Sequence, residues 1–417
     1  MMKGVATRTA VAGMILVAVV VNHFADGVVP AHFMVRPLIT VPAIAVVIGL
    51  ASSIAGRRGV PTAGAAALLV AFASVSTVLS LLGVAIVLTL LGRRGLVVDV
   101  RRSVIWVAAV FAGLSLMRAV PLLDLSAPPA VPQTRGTPIY LILLDGYPRN
   151  DTLSQLGIDN QPFVDELSER GFDYYPDARS DHENTGLALT SMLTGSPVTR
   201  AEWDADMRAI RSGWSLPPGF VAIAPPVGAV TMPNAATIAS DGMNDFEAGL
   251  LGNSVFHLLP WSGDFITESL RDRLDTALEA IATTEHRRIF AHLGAPHPPF
   301  LFEVDGTPRG ISPCWPRACH IFTNVLERLR IGREEWAAGM EGNLNHLNPR
   351  LLAVVDRVLE RHPDAMIVLF SDHGGRISLA DREEWHRSFL AARTPARPRM
   401  LADDPGPDAV FDVVMDR

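Results

Sequence analysis

Three apolar runs beyond residue 137 of this 417-residue chain end in side chains that can bind metal or move protons. Asp145 follows LILL in LLDGYPR. His292 and His297 follow RRIFA in AHLGAPHPPF. Asp372 and His373 follow MIVLF in SDHGGR. Ligands of parallel sheets bind beyond the carboxyl ends of strands. Three such ends delivering carboxylates and imidazoles to one edge therefore form a site pattern. Two carboxylates with an imidazole suit one divalent cation, Mn²⁺ or Zn²⁺, with Mg²⁺ as the harder option. Gly146, Gly374 and Gly375 allow the sharp turns that aim them. Taken singly, each is equally an ordinary loop residue, and Asp-His pairs often serve as caps or ion pairs.

A fourth stretch, SDHENTGLALTSMLTG, places Asn184 and Thr185 immediately before an apolar helix. Asn and Thr are favoured helix caps, which is the plain reading. The chemical reading is a nucleophile. A hydroxyl at a helix start feels the positive end of the dipole. A neighbouring cation would ease loss of its proton, and the alkoxide could attack phosphorus. Both readings stand at this level.

The elements that must position these residues alternate. Pro138–Leu144, Arg288–Leu293 and Ala365–Phe370 are short apolar runs of the kind buried on both faces of a sheet. Helical spacing covers Asp159–Arg170, Thr185–Thr194, Phe265–Ala282 and Gly342–Arg361, with Gly171 and Gly195 as stops. The expectation is an α/β domain over 138–395, a mostly parallel sheet flanked by helices. Residues 396–417 read as a C-terminal tail, and 197–262, rich in Pro, Gly and Ala, carry no assignment. EEWHR, with His386, reads as an amphipathic helix rather than a further imidazole ligand.

The first 122 residues differ in kind. They hold ten Lys/Arg against two Asp/Glu, while the remainder holds 26 against 41. Mean hydropathy is +0.26. A basic apolar half joined to an acidic polar half excludes one soluble domain, and the acidic half argues against nucleic acid as a partner. Apolar stretches run over Thr9–Ala25, Leu38–Gly56, Gly59–Gly92 and Ser103–Met117. They predict an all-α transmembrane module over 1–122, of four or five helices. Five places Lys3, Arg8, Arg57, Arg58, Arg93, Arg94, Arg101 and Arg102 on the cytoplasmic side. Either count sends the later residues outside, past a Pro-rich linker over 123–137. The expected location is the cytoplasmic membrane, multi-pass, with an extracytoplasmic C-terminal domain. Cys314 and Cys319, the only cysteines, read there as a disulfide.

The order LILLDGY, RGFDYYPDARSDHENTGLALTSML, FAHLGAPHPPFLFEVDG and VLFSDHGGR resembles sulfatase-like enzymes of the alkaline phosphatase superfamily. More narrowly, it is similar to the membrane-anchored branch of lipoteichoic acid synthases and phosphoglycerol or phosphoethanolamine transferases. The resemblance covers about residues 137–395. It implies Asp145, Thr185, Asp372 and His373 as metal ligands, with Thr185 also the nucleophile. It implies His297 as a second catalytic residue, facing the phosphate or leaving group. Arg376, Asn184 and His292 are the candidates for holding substrate. A true sulfatase needs Cys or Ser where this chain has Thr185. Two-metal relatives carry an Asp-x-x-x-His pair that is absent near His297. One metal and a phosphoryl-group transferase follow, with a lipid-linked or phospholipid donor and an envelope glycan acceptor. A phosphodiesterase, a sulfuric-ester hydrolase and a non-catalytic envelope scaffold are the alternatives. Nothing in the sequence fixes the oligomeric state.

Overall fold

The computed structural model describes residues 2–26, 34–51, 136–195, 198–203, 214–217, 219–223, 260–309, 332–377 and 381–395, with isolated positions besides. The chain divides into two compact units. One comprises Met1–Ser126, Met243–Ile266 and Ser312–His320; the other comprises Ala127–Gly242, Thr267–Ile311 and Ile321–Arg417.

The first unit contains α1 (Met2–Asp26) and α2 (Val35–Ala51). They run antiparallel, with Gly13 opposite Ala45 and Gly49 pressed against the Thr9 backbone. A side chain at residue 49 would collide there, so the close crossing depends on that glycine. Val11, Ile15, Leu16, Val41 and Ile48 are buried. Val35, Ile39, Val46, Val47 and Leu50 of α2 are exposed. Among the described residues, no helix is long and apolar enough to cross a membrane. The stretch Gly59–Gly92, nearly all of Ser103–Met117 and the linker before Gly136 lie outside the described residues, as do Cys314 and Cys319.

The second unit is a mixed sheet flanked by helices. In chain order it contains β1 (Ile139–Leu144), α3 (Asn150–Gln155), α4 (Gln161–Glu169), β2 (Asp173–Tyr174), α5 (Thr185–Thr194) and β3 (Val221–Ile223). Then follow α6 (Pro260–Thr283), which belongs to this unit from Thr267 on, β4 (Arg288–Leu293), α7 (Arg333–Arg361), β5 (Met366–Phe370) and β6 (Leu390–Arg393). The strand order is β2-β6-β5-β1-β4-β3. The pairs β1–β4, β1–β5 and β3–β4 are parallel, while β5–β6 and β2–β6 are antiparallel.

Strand alternation sorts the core into two layers. Tyr140, Ile142 and Leu144 of β1, Ile289 and Ala291 of β4, and Ile367 and Leu369 of β5 face α4, α6 and α7. Leu141, Leu143, Phe290, Val368 and Phe370 face α5, Trp203, Trp214 and Phe411. Both faces are covered, so the strands read as unbroken apolar runs. In α7, buried Leu344, Leu347, Leu351, Val354, Val355 and Val358 form one helical stripe.

Three expectations change. The helix expected to begin at Gly342 begins at Arg333. Gly339 and Gly342 lie inside it, because Phe300 and the Phe302–Glu303 backbone occupy the space a Cβ would need. EEWHR forms a single 3₁₀ turn, Glu383–His386, not an amphipathic helix. Its His386 ring faces the Ser180 carbonyl at 2.8 Å. Within the expected tail, Val410 and Phe411 are buried, and Phe411 packs edge-on against Phe290 at 5.8 Å between ring centroids.

Candidate active site

Register sets the site. Leu144 of β1 lies level with Leu293 of β4, and Leu143 lies level with Phe370 of β5. The three central strands therefore end together, and the next residues emerge at one edge. Asp145 follows β1 directly, its N–H bonded to the Leu293 carbonyl at 2.9 Å. Gly146 turns the chain with φ +63°. Its N–H donates to Asp372 Oδ1 at 3.2 Å. The Tyr147 N–H donates to Ser371 Oγ at 2.8 Å, and that hydroxyl donates onward to the His373 carbonyl at 2.7 Å. Ser371 thus ties the Asp145 turn to the Asp372–His373 turn.

Thr185 is the first residue of α5. Asn184 caps that helix, its side chain accepting from the Leu187 N–H at 3.1 Å, and Gly195 ends it in the left-handed conformation. Leu187 through Leu193 are all buried, so the helix start is fixed by the core beneath it. Thr185 Oγ1 then lies 3.5 Å from Asp145 Oδ1 and 3.4 Å from His373 Nε2.

Protonation of the imidazoles follows from their partners. His373 Nδ1 is 2.7 Å from the Gly374 carbonyl and His297 Nδ1 is 2.6 Å from the Pro298 carbonyl. A carbonyl only accepts, so both rings carry their proton on Nδ1 and present a bare Nε2. In His373 that lone pair faces Asp145 Oδ1 at 3.6 Å and Asp372 Oδ2 at 3.5 Å. In His297 it faces Arg376 Nη2 at 3.3 Å. Burial first, then the Arg376 charge, pushes His373 down to about 3. Burial likewise brings His297 down to about 4, against the pull of Asp145. Both rings are neutral at pH 7.

The carboxylates diverge. Burial acts to raise Asp145, but His297, His292 and His373 outweigh it and hold the group below the ordinary carboxylate range. Asp372, 0% exposed, is pushed up to about 6 by burial and by the Asp145 charge beside it. Among the described residues no donor is within 3.5 Å of its Oδ2 in hydrogen-bond geometry, although the nearby Thr185 hydroxyl acts to lower the group. A buried carboxylate oxygen left this way, beside a second carboxylate and a bare imidazole nitrogen, is what a divalent cation would complete. Asp145, His297 and His373 form a buried group whose ligand atoms lie within 4.8 Å of one another, with the His297 Nε2 engaged by Arg376. The donor set fits a cation.

The remaining predicted residues fall around this cluster. His292 lies behind Asp145, Nε2 to Oδ2 at 3.1 Å, and so orients a carboxylate rather than facing open space. Arg376 has φ 51°, a strained value for a residue with a Cβ. It donates to the Glu183 carbonyl at 3.3 Å as well as to His297. Sequence reasoning missed Ser371, Asn343 and Glu384. Asn343 accepts from the Leu301 N–H at 2.8 Å and donates to the Pro296 carbonyl at 3.1 Å. Buried Glu384 accepts from the Ile377 N–H at 2.8 Å and so holds the chain just after Arg376. Asn343 and Ser371 reach backbone groups far away in sequence, Glu384 reaches one seven residues before it, and no local pattern signals any of them.

No family profile and no curated protein matches the chain. Solved structures do. It is similar to the C-terminal periplasmic domain of EcEptC from Escherichia coli, at 13% identity and a TM-score of 0.40, over 70% of this chain and 86% of that one. It is similar to the integral membrane lipooligosaccharide phosphoethanolamine transferase A from Neisseria meningitidis, at 12% and 0.41, over 94% and 76%. A phosphonate monoester hydrolase of Agrobacterium radiobacter is similar at 13% and 0.39, over 68% and 73%.

Proposed function

We propose that this protein is a phosphoryl-group transferase that uses Thr185 as its nucleophile. The group moved is of the phosphoglycerol or phosphoethanolamine kind, taken from a lipid donor and given to an envelope glycan. The observation that carries this reading is the convergence on one hydroxyl. Thr185 Oγ1 stands at a helix start, 3.5 Å from Asp145 and 3.4 Å from the bare Nε2 of a neutral His373. A buried oxygen of Asp372, without a hydrogen-bond partner among the described residues, completes the set. A plain helix cap does not account for this, because Asn184 already caps the helix.

Asp145, Asp372, His373 and the Thr185 hydroxyl would hold one divalent cation, Mn or Zn. Bound there, it supplies positive charge that lowers the hydroxyl's pKa and offsets charge on phosphoryl oxygens. Thr185 Oγ1 loses its proton to water and attacks phosphorus, the P–O bond to the lipid alcohol breaks with that alcohol taking up a proton from water, and the resulting Thr185 phosphodiester is cleaved by an acceptor hydroxyl, which restores the Thr185 hydroxyl. Arg376 neutralises a phosphoryl oxygen. His297 keeps the guanidinium in place by accepting from Nη2. His292 holds Asp145 in the orientation that leaves Oδ1 toward Thr185.

The first 122 residues serve, in this reading, as a multi-pass anchor in the cytoplasmic membrane. It keeps the domain beside its lipid donor on the extracytoplasmic side and raises the donor's effective concentration. The exposed apolar row on α2 supports this, as does the split of charge along the chain.

The test is Thr185→Ala in the full chain, assayed on a fluorescent phosphatidylethanolamine and on bis(p-nitrophenyl) phosphate. Turnover should fall by at least about 10³-fold, with melting temperature and metal content retained. Intact-mass analysis of the wild type should show the mass of the transferred phosphodiester on Thr185, phosphoethanolamine with the lipid and p-nitrophenyl phosphate with the synthetic diester. Undiminished turnover in Thr185→Ala sinks the mechanism. Lipid cleavage unaffected by added glycan acceptor would make the protein a phosphodiesterase instead.

A further inference from the structure

We propose that Asn343 is a positioning residue for this site, acting through His297 on Arg376. The inference rests on the role of Arg376 given above and deepens it. Asn343 sits inside α7 and is 1% exposed. Its one amide closes both ends of the segment Pro296–Leu301. Oδ1 accepts from the Leu301 N–H at 2.8 Å, and Nδ2 donates to the Pro296 carbonyl at 3.1 Å. Three of the six residues in that segment are prolines, which have no N–H to give. The segment has little backbone bonding of its own, so the amide substitutes for it.

The helix is shaped for this. Gly339 leaves room for the Phe300 ring and Gly342 for the Phe302–Glu303 backbone. Trp336 meets Phe300 edge-on at 5.5 Å. Inside the clamped segment sits His297. Its N–H donates to the Asp145 carbonyl at 3.0 Å. Its Nδ1–H is used on Pro298, and its Nε2 meets Arg376 at 3.3 Å. The chain of contacts runs from a core amide, through a proline-rich loop, to the guanidinium.

The test is a double-mutant cycle in the metal-loaded full chain, with bis(p-nitrophenyl) phosphate as the probe. Asn343→Ala and His297→Ala should each lower kcat/KM by about 10- to 100-fold, the range for groups that orient others. The double variant should fall no more than about twofold below His297→Ala, because both act on one path. Metal content should stay at the wild-type value in Asn343→Ala. Losses that multiply, or metal lost together with activity, overturn the proposal. If Asn343→Ala does not fold, Asn343→Asp, which keeps the acceptor for Leu301, runs the same cycle. Failure of both to fold makes Asn343 a purely structural residue and also overturns it.

Histidine-selective nitrogen NMR gives a readout independent of turnover. Asn343→Ala should blur the single Nδ1–H tautomer of His297 while leaving that of His373 sharp. An unchanged His297 signal overturns the proposal. A wild type that binds metal but never turns over the probe sinks the transferase reading instead, and the NMR result still decides the clamp.

Discussion

The two halves of the site are held by different means. Asp145 is the first residue beyond β1, Asp372 and His373 are the second and third beyond β5, which pairs with β1 in parallel, and their turns are joined to each other through Ser371 and Gly146. His297 and Arg376 stand further out, on irregular backbone. They are held by single side chains from elsewhere, Asn343 for one and Glu384 for the stretch after the other. The sheet thus sets where a cation would sit, to within the stiffness of its register. The loops set where a phosphate would be gripped, and that grip depends on a few replaceable contacts. Substitutions in the first half should abolish binding of metal outright, whereas those in the second should scale activity down in steps.

The strongest way to break this division is Asp372→Asn. Metal content should drop from one equivalent to near zero, and turnover with it. Stability should move the other way once metal is stripped with EDTA. The carboxyl is raised to about 6 by burial and by Asp145. Its charged form is therefore disfavoured in the folded chain relative to the unfolded one. Wild-type stability then falls as pH rises from about 4, the usual carboxylate value, through 6. Asn carries no charge and keeps an oxygen for Gly146. The stripped variant should melt above the stripped wild type at pH 7, and the gap should close by pH 4. A variant that melts lower at pH 7 would show that Asp372 is held by structure and not poised for a cation.

The loop half is probed at Arg376. Ala and Gly there both remove the guanidinium, so both should lose about 10²-fold in turnover on bis(p-nitrophenyl) phosphate. They differ in backbone. Arg376 has φ 51°, where any Cβ is strained and glycine is not. Arg376→Gly should be more stable than Arg376→Ala by about 1 kcal/mol, read from urea midpoints. Equal stabilities would mean that the turn is relaxed and that no strain is stored beside His297. Metal content should be unaffected in both; its loss would erase the division between the halves.

The same division decides what the sequence disclosed. Strands β1, β4 and β5 were legible to within a residue because burial on both faces makes them continuous apolar runs. That Asp145, Thr185, Asp372 and His373 come together was legible because they sit at the ends of those runs and at a capped helix start. The outer strands were not: β2 has two residues and β3 three, too short for any period. β6 reads LAAR, which has no β-former pattern. The start of α7 was misplaced because Gly342 looks like a boundary, when its missing side chain is what lets the His297 loop lie against the helix. His292 looked like a substrate contact, because nothing in AHLG says that its ring turns back to Asp145. Asn343, Ser371 and Glu384 act on backbone more than forty, more than two hundred and seven residues away, respectively. Only the first two distances are long, yet none leaves a mark in the pattern of side chains.

The smallest expected effects come from two glycines that bound the rigid half. Gly186 follows Thr185, and a Cβ there would meet the Trp203 indole, itself stacked on Trp214 at 6.1 Å. Trp214 donates to Thr190 Oγ1 at 3.1 Å, so the ring has no easy way to yield. Gly186→Ala should lose about 1–3 kcal/mol, and its activity should fall because the first turn of α5 must shift. Gly157 sits in the turn after α3 with φ +80° and nothing within 4 Å of an added Cβ. There only the left-handed backbone is penalised. Gly157→Ala should lose about 1 kcal/mol and leave kcat, KM and metal content unchanged. The pair separates strain transmitted to Thr185 from strain that is merely stored. If Gly186→Ala lowered stability but kept full turnover, the start of α5 would have to be adjustable, and the hydroxyl's position would no longer follow from the core beneath it.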